Sequence, residues 1–271
     1  MASRQPTRLI PPSSGLAPRS IWAWRSAGAT GLEPGACLLL LVLLLAACGG
    51  GGGSSDQSPQ PRVPTDIEQI LTLKYLDPAG DQVLAPADAP PFLIPYAPAD
   101  ITKIEAGLRW PTLYMRVTWA APIPAQPVAI PAQGLLPAMT VPGHGMSLVL
   151  NSDNDATTGS NGAEMVAGVD IFFGVKVYYG LPVGAYANFD FANGDIHLNR
   201  GHIEGTLLDG GAGSPTVLVA FDLTNTGTFF RRGLTVPIGA WSEAESYDGN
   251  GKLVFHHFAY DPVAASSWTI P

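Results

Sequence analysis

The segment Thr112–Trp119, TLYMRVTW, alternates Leu113, Met115, Val117 and Trp119 with Thr112, Tyr114, Arg116 and Thr118. A period of two sends successive side chains to opposite faces, so this is a strand with one face in a core and the other toward water. Just before it Ile104, Ala106, Leu108 and Trp110 alternate in the same way. Pro111 cannot donate to a ladder, so residues 102–120 read as a hairpin that turns at Trp110-Pro111. A second hairpin is expected over 186–199, because Asn193-Gly194 suits a type I′ turn whose two central residues need positive φ. Further strands are expected at 146–150, at 169–179 with a bend at Gly174, at 217–223, and at 240–247 turning through DGNG (248–251) into 252–260. With 31 Gly, 26 Pro, several short strands and no long segment of period 3.6, the chain reads as all-β, a sandwich or a barrel. Prolines are dense over 78–98 and 122–142, which should be long loops or edge segments, and the one helix expected is a short one near 66–73.

The amino-terminal part has a different character. Arg4, Arg8, Arg19 and Arg25 precede an uninterrupted apolar run at 36–47. Twelve helical residues rise only about 18 Å, well short of the roughly 20 residues that cross a bilayer core, so the run reads as a signal and not a span. Its end, Leu45-Ala46-Ala47-Cys48, resembles the lipobox of bacterial lipoproteins, in which small residues fit the signal peptidase and Cys accepts diacylglycerol. The resemblance implies that residues 1–47 are removed and that Cys48 becomes the lipidated first residue. The alternative is an ordinary secretory signal with a chance Cys. Residues 48–65 open with GGGGGSS and continue polar and Pro-rich, as a flexible tether would; about 16 such residues span roughly 22 Å. Gly49 follows Cys48 where inner-membrane retention often uses Asp, so the Gram-negative sorting rule favours the outer membrane.

Residues 66–271 then form the folded domain. Beyond residue 47 the chain holds 10 basic and 21 acidic residues, a net charge of −11. Such a surface repels nucleic acid and anionic lipid, and suits divalent cations or neutral ligands. Cys37 leaves with the signal and Cys48 is acylated, so no disulfide is available and the core must carry the fold, with a metal as one further source of stability.

The segment with most chemistry is LVLNSDNDATTGSNGAEMVAGVDIFF, 148–173. Alternating oxygen-bearing side chains in a curling loop can converge on a hard cation, which takes six to eight oxygens at about 2.3–2.6 Å. Counting from Asp153, oxygen donors fall at Asp153, Asp155, Thr157, Asn161 and Glu164, with Glu164 at the twelfth place as in an EF-hand. Thr158 stands where that motif needs Gly and the flanks read as strands, so the expectation is a calcium loop on a β framework. The competing reading is a strand ended by Asx turns.

The same stretch resembles secreted bacterial β-sandwiches of the DOMON-like and family-9 carbohydrate-binding-module type, in which a strand enters a D-x-D-x-x-x-T-G loop followed by G-x-D and another strand. The matching residues are Asp153, Asp155, Gly159, Gly168 and Asp170, and the hairpin ITKIEAGLRWPTLYMRVTW looks like the opening strands of such domains. The resemblance covers roughly residues 100–200. The resemblance implies an antiparallel β-sandwich of jelly-roll or related type and favours Asp153, Asp155 and Asp170 as ion ligands, but no pair of Trp here matches the sugar platform of the family.

Tyr178, Tyr179, Tyr186 and Trp241 are candidates for stacking on a sugar, each with a core or edge role as the alternative. His256 and His257 are adjacent on a strand and should point to opposite faces, which disfavours a shared ion; His197 and His202 read as surface or turn residues. No G-x-S-x-G occurs, and no α/β alternation would carry a nucleophile elbow. The sequence therefore points to a non-catalytic, membrane-anchored envelope module that binds a glycan or another envelope protein. An extracytoplasmic carbohydrate-active hydrolase and a purely structural envelope lipoprotein stand as the rivals.

Overall fold

A computed structural model describes residues 62–83, 90, 93–160, 166–191, 199–224, 226 and 230–271. Cys48, the signal and most of the tether lie outside these residues, as do Asn161, Glu164, the Asn193-Gly194 turn and His197.

The described residues are almost entirely antiparallel β. The strands are β1 (Leu73–Leu76), β2 (Ile101–Arg109), β3 (Thr112–Trp119), β4 (Val128–Ile130), β5 (Met139–Val141), β6 (Gly143–Leu150), β7 (Ile171–Tyr178), β8 (Gly184–Phe191), β9 (Asn199–Gly210), β10 (Thr216–Asp222), β11 (Thr235–Tyr247) and β12 (Leu253–Thr269). One short helix, α1 (Ile67–Ile70), precedes them, where the sequence placed it. They pair in the order β1-β2-β3-β10-β9-β8-β7-β6-β11-β5-β4, with β12 added on β11, as one curled half-barrel sheet. The curl is carried by β9, which pairs with β8 through Asn199–Glu204 and with β10 through Gly205–Gly210.

The first hairpin is β2–β3, with Trp110-Pro111 at its turn, and Leu113, Met115, Val117 and Trp119 are all buried as the alternation required. Trp110 departs from the pattern. It lies 57% exposed at the turn, because the chain reverses before it can return to the inner face. Strands β8 and β9 form the second hairpin, and the Pro-rich 122–142 stretch supplies β4 and β5 at one edge of the sheet.

The curl brings two halves of the sheet face to face. Ile104, Met115, Val117, Val219 and Phe221 from β2, β3 and β10 share one core with Met146, Leu148, Phe173, Val175, Ile238 and Phe258 from β6, β7, β11 and β12. A smaller apolar cluster of Val149, Phe172 and Trp241 lies on the opposite face of β6, β7 and β11, with Val166, Val169, Tyr186 and Tyr260 against it. Gly174 is needed here for space: a Cβ would sit 2.4 Å from the Tyr186 ring, and β7 continues through this position as one strand.

Candidate functional site

The loop after β6 is held by its own side chains. Asp170 Oδ2 accepts from the Ser152 amide at 2.8 Å, the Ser152 hydroxyl at 3.0 Å and the Asp153 amide at 3.3 Å. Asp153 Oδ1 accepts from the Asp155 amide, and its Oδ2 accepts from the Thr158 hydroxyl. Asp155 Oδ1 accepts from both the amide and the hydroxyl of Thr157, which hold its carboxyl below the ordinary value. Asp170 is pushed up, chiefly by burial, against the pull of its Ser152 hydrogen bonds. The Asp153–Asp155 and Asp155–Thr157 bonds are Asx turns, each side chain closing the backbone two residues on, while Asp170 ties the start of the loop to its far end.

The glycines of the motif have a steric reason. Gly159 and Gly168 hold φ of 60° and 71°, and a Cβ on either would sit 2.4 Å from a backbone oxygen, of Val169 and of Asp155 respectively. The structure thus brings Asp153, Asp155, Thr157 and Asp170 into one compact loop through hydrogen bonds.

Three Asp residues absent from the sequence-based site come together where the segment after β1 meets β12. Asp77, Asp81 and Asp261 each offer a carboxylate oxygen, and these lie within 4.8 Å of one another. They reach this place from distant segments. Asp77 follows β1, and its amide donates to Thr102 O; Asp81 sits in the next turn; Val83 N donates to Tyr260 O and so ties that turn to β12. Asp261 lies on the inward face of β12 and its Oδ2 accepts from Ile101 N at 2.5 Å. Asp100 stands beside them, its Oδ2 accepting from Gly80 N at 2.7 Å. Burial raises Asp261 to about 7, with Asp77, Asp100 and Asp81 adding repulsion, and burial with Asp81 and Asp100 raises Asp77 to about 6. The charges that act on these two groups and on Asp100 are all carboxylates.

A third constellation lies on the outer face of β11 and β12. Glu243 is buried and pairs with His257 at 3.1 Å; Glu245 pairs with His256 at 3.3 Å and accepts from the Tyr247 hydroxyl at 2.5 Å. The two histidines therefore face the same pair of carboxylates, against the expectation of opposite faces. The reason is a bulge: Ala244 pairs with Ala259 but Ser246 pairs with Phe255, so β12 spends two extra residues there. Glu243 lies in register with Gly145, and Gly145 with Lys176. Burial lowers Lys176, while Glu245 and Glu243 raise it, and its Nζ lies 5.2 Å from the Tyr186 ring centre. Pro142, Gly143, His144, Gly145, Tyr178, Glu243 and Glu245 line a shallow open pocket at this edge.

Of the four aromatics proposed for stacking, only Tyr178 offers a face to solvent, at 46% exposure. Trp241 is buried against Phe172, and Tyr186 is stacked between Phe172 and His202. Tyr179 is buried with its hydroxyl between Tyr96 Oη and His144 Nδ1, each at 2.8 Å. His202 is on the surface as expected, bonded to Asn188 and Glu204.

Compared with models of known protein families, the chain matches none, and no curated protein matches it.

Proposed function

We propose that the protein is a lipid-anchored, non-catalytic module of the bacterial envelope, a jelly-roll-like β-sandwich held off the outer membrane by the tether at 48–65. The observation that carries the anchor is the lipobox Leu45-Ala46-Ala47-Cys48, standing at the end of the apolar run and directly before a Gly-rich spacer. Binding is supported by the pocket beside β11, where the exposed Tyr178 lies next to Glu243 and Glu245. An aromatic face beside carboxylate acceptors suits a hydroxylated, neutral ligand such as an envelope glycan. Calcium in the Asp153, Asp155, Thr157, Glu164 and Asp170 loop is part of the same reading, since an ion would offset the repulsion between Asp153 and Asp170.

Membrane fractionation tests the anchor. Wild-type protein should pellet with membranes and the Cys48→Ser variant should appear in the soluble fraction; equal recovery of both in membranes rejects the anchor. Incubation with envelope polysaccharide tests the absence of catalysis. Release of new reducing ends that depends on Glu243 or Glu245 would make the protein a hydrolase. Calcium should raise the melting temperature of wild type through preferential binding to the native state, worth roughly 2.7 kcal/mol at a hundredfold excess over Kd. If the Asp153→Ala, Asp155→Ala variant retains the full calcium response, the loop is an Asx-turn structure only.

A further inference from the structure

We infer that Asp77, Asp81 and Asp261, with Asp100 beside them, form a binding site for a hard divalent cation of the calcium class that clips the amino-terminal strand to the last strand of the sheet.

The geometry fits the ion. Two oxygens held at about 2.4 Å from one calcium lie no more than about 4.8 Å apart, and the three carboxylates offer oxygens within that mutual distance. The donor set is oxygen only, which favours calcium over zinc or copper.

Buried oxygens without donors point to the ion independently. Asp261 is fully buried, and its Oδ1 has no hydrogen-bond donor among the described residues. Asp100 is 4% exposed and leaves its Oδ1 in the same state, as Asp77 does its Oδ2. A desolvated carboxylate oxygen is costly unless a proton, a donor or a cation satisfies it. Asp261 and Asp77, two of the residues that bear such oxygens, belong to the group whose carboxylates converge, so the unmet acceptors and the convergence point to the same place. Asp261 is also placed with unusual care, because Ile101 N holds its Oδ2 and so fixes the direction of Oδ1.

The ion would add a link between segments far apart in the sequence, beside the Val83–Tyr260 and Ile101–Asp261 hydrogen bonds. Asp77 and Asp81 belong to the segment after β1 and Asp100 stands just before β2, in the half of the sheet next to the tether. Asp261 belongs to β12, which pairs with β11 in the other half. Gln82 strengthens the turn between them by bonding both the amide and the carbonyl of Tyr96, so Asp81 is presented from a fixed loop.

The site is distinct from the loop at 153–170, and the two are separable by titration of the full chain in detergent with calcium. Wild type should give a saturable calorimetric isotherm and a rise in melting temperature. Asp81→Asn lies on the exposed side of the cluster and preserves shape, and with Asp77→Asn it should weaken binding at this site at least tenfold while leaving the apo fold intact. Asp261→Asn keeps an acceptor for Ile101 N and should abolish the same share of the response. The Asp153→Ala, Asp155→Ala variant should lose only the loop's share of the response and retain the share that depends on Asp77, Asp81 and Asp261. A calcium response that Asp77→Asn, Asp81→Asn leaves unchanged in the Asp153→Ala, Asp155→Ala background, or that is lost only with Asp153 and Asp155, overturns the inference. No heat and no thermal shift at 10 mM calcium and pH 8 overturns it as well.

Discussion

His144 should make the protein acid-labile through a buried imidazole. The ring sits in the core between Trp119, whose ring centre is 4.8 Å away in an edge contact, and Tyr179, whose hydroxyl is 2.8 Å from Nδ1. Burial lowers its pKa to about 3, from an ordinary 6.5. The folded protein therefore holds His144 neutral between pH 6.5 and 3, while the unfolded chain takes up a proton there. The unfolded state binds more protons in this window, so stability rises with pH and falls on acidification, by about 1.4 kcal/mol per pH unit once below 6.5. Integrated from pH 8 to 4.5, the loss is about 2.7 kcal/mol, a large share of the roughly 5–15 kcal/mol a domain possesses. His144→Asn keeps a polar atom near the Tyr179 hydroxyl but cannot titrate. It should be less stable at pH 8, by about 2 kcal/mol for the lost volume, and should lack the acid-dependent component. Urea unfolding of both proteins at pH 8 and 4.5 measures the difference, and comparison of the two cancels the opposing acid response of the raised carboxylates. A wild type and variant whose stabilities fall in parallel on acidification would refute the assignment of a neutral buried imidazole.

Two further perturbations probe the attachment of the amino-terminal segment. A Cβ on Gly107 would lie 1.8 Å from Ile70 O, so Gly107→Ala should push α1 off β2, expose Ile70 and Leu71, and cost about 3 kcal/mol or more in urea unfolding, whereas Gly249→Ala, which meets nothing, should change stability by less than about 0.5 kcal/mol. Arg116 joins the buried Glu105 at 2.6 Å to Glu68 on α1 at 2.6 and 3.0 Å; burial pushes Glu105 up, and Arg116 and Lys103 bring it below its ordinary value. Arg116→Met should therefore cost about 3 kcal/mol by leaving Glu105 with Lys103 alone, while Glu68→Ala, on the exposed side, should cost less than about 1 kcal/mol; equal effects of the two in chemical denaturation would show that Glu105 does not depend on Arg116.

How far the sequence could be read depended on the range of the contacts involved. The β2–β3 hairpin was legible because its pairing is local and the inner residues of β3 alternate without exception through Trp119. The loop at 151–160 was legible for a similar reason, since Asx turns act over two to five residues and leave their signature in the spacing of Asp153, Asp155 and Thr157. Trp110 and the histidines were misread where the backbone departs from ideal alternation. A turn begins one residue earlier than the apolar pattern implies, and a two-residue bulge in β12 rotates His256 and His257 toward Glu245 and Glu243.

The cluster where the segment after β1 meets β12 was not legible by any local rule, because Asp77 and Asp261 are brought together only when the sheet closes β1 and β12 toward one another. The sequence nevertheless carried a sign of it. In FAYDPVAA Asp261 is the one charged residue of an otherwise uncharged strand segment, at a position whose neighbours on the same face, Ala259 and Val263, are buried. A lone acid at a core position must be neutralised, paired or coordinated. Among the described residues the charges that act on it are other carboxylates, with no Arg or Lys, so pairing is removed from the three options. Neutralisation by a proton and coordination of a cation remain, and they make opposite demands on pH: protons stabilise the cluster in acid, and a cation does so where the carboxylates are ionised. Melting temperature of the Asp153→Ala, Asp155→Ala variant measured against calcium at pH 5 and at pH 8 separates them, since a coordinating cluster responds more strongly at pH 8 and a proton-sharing cluster responds to calcium at neither.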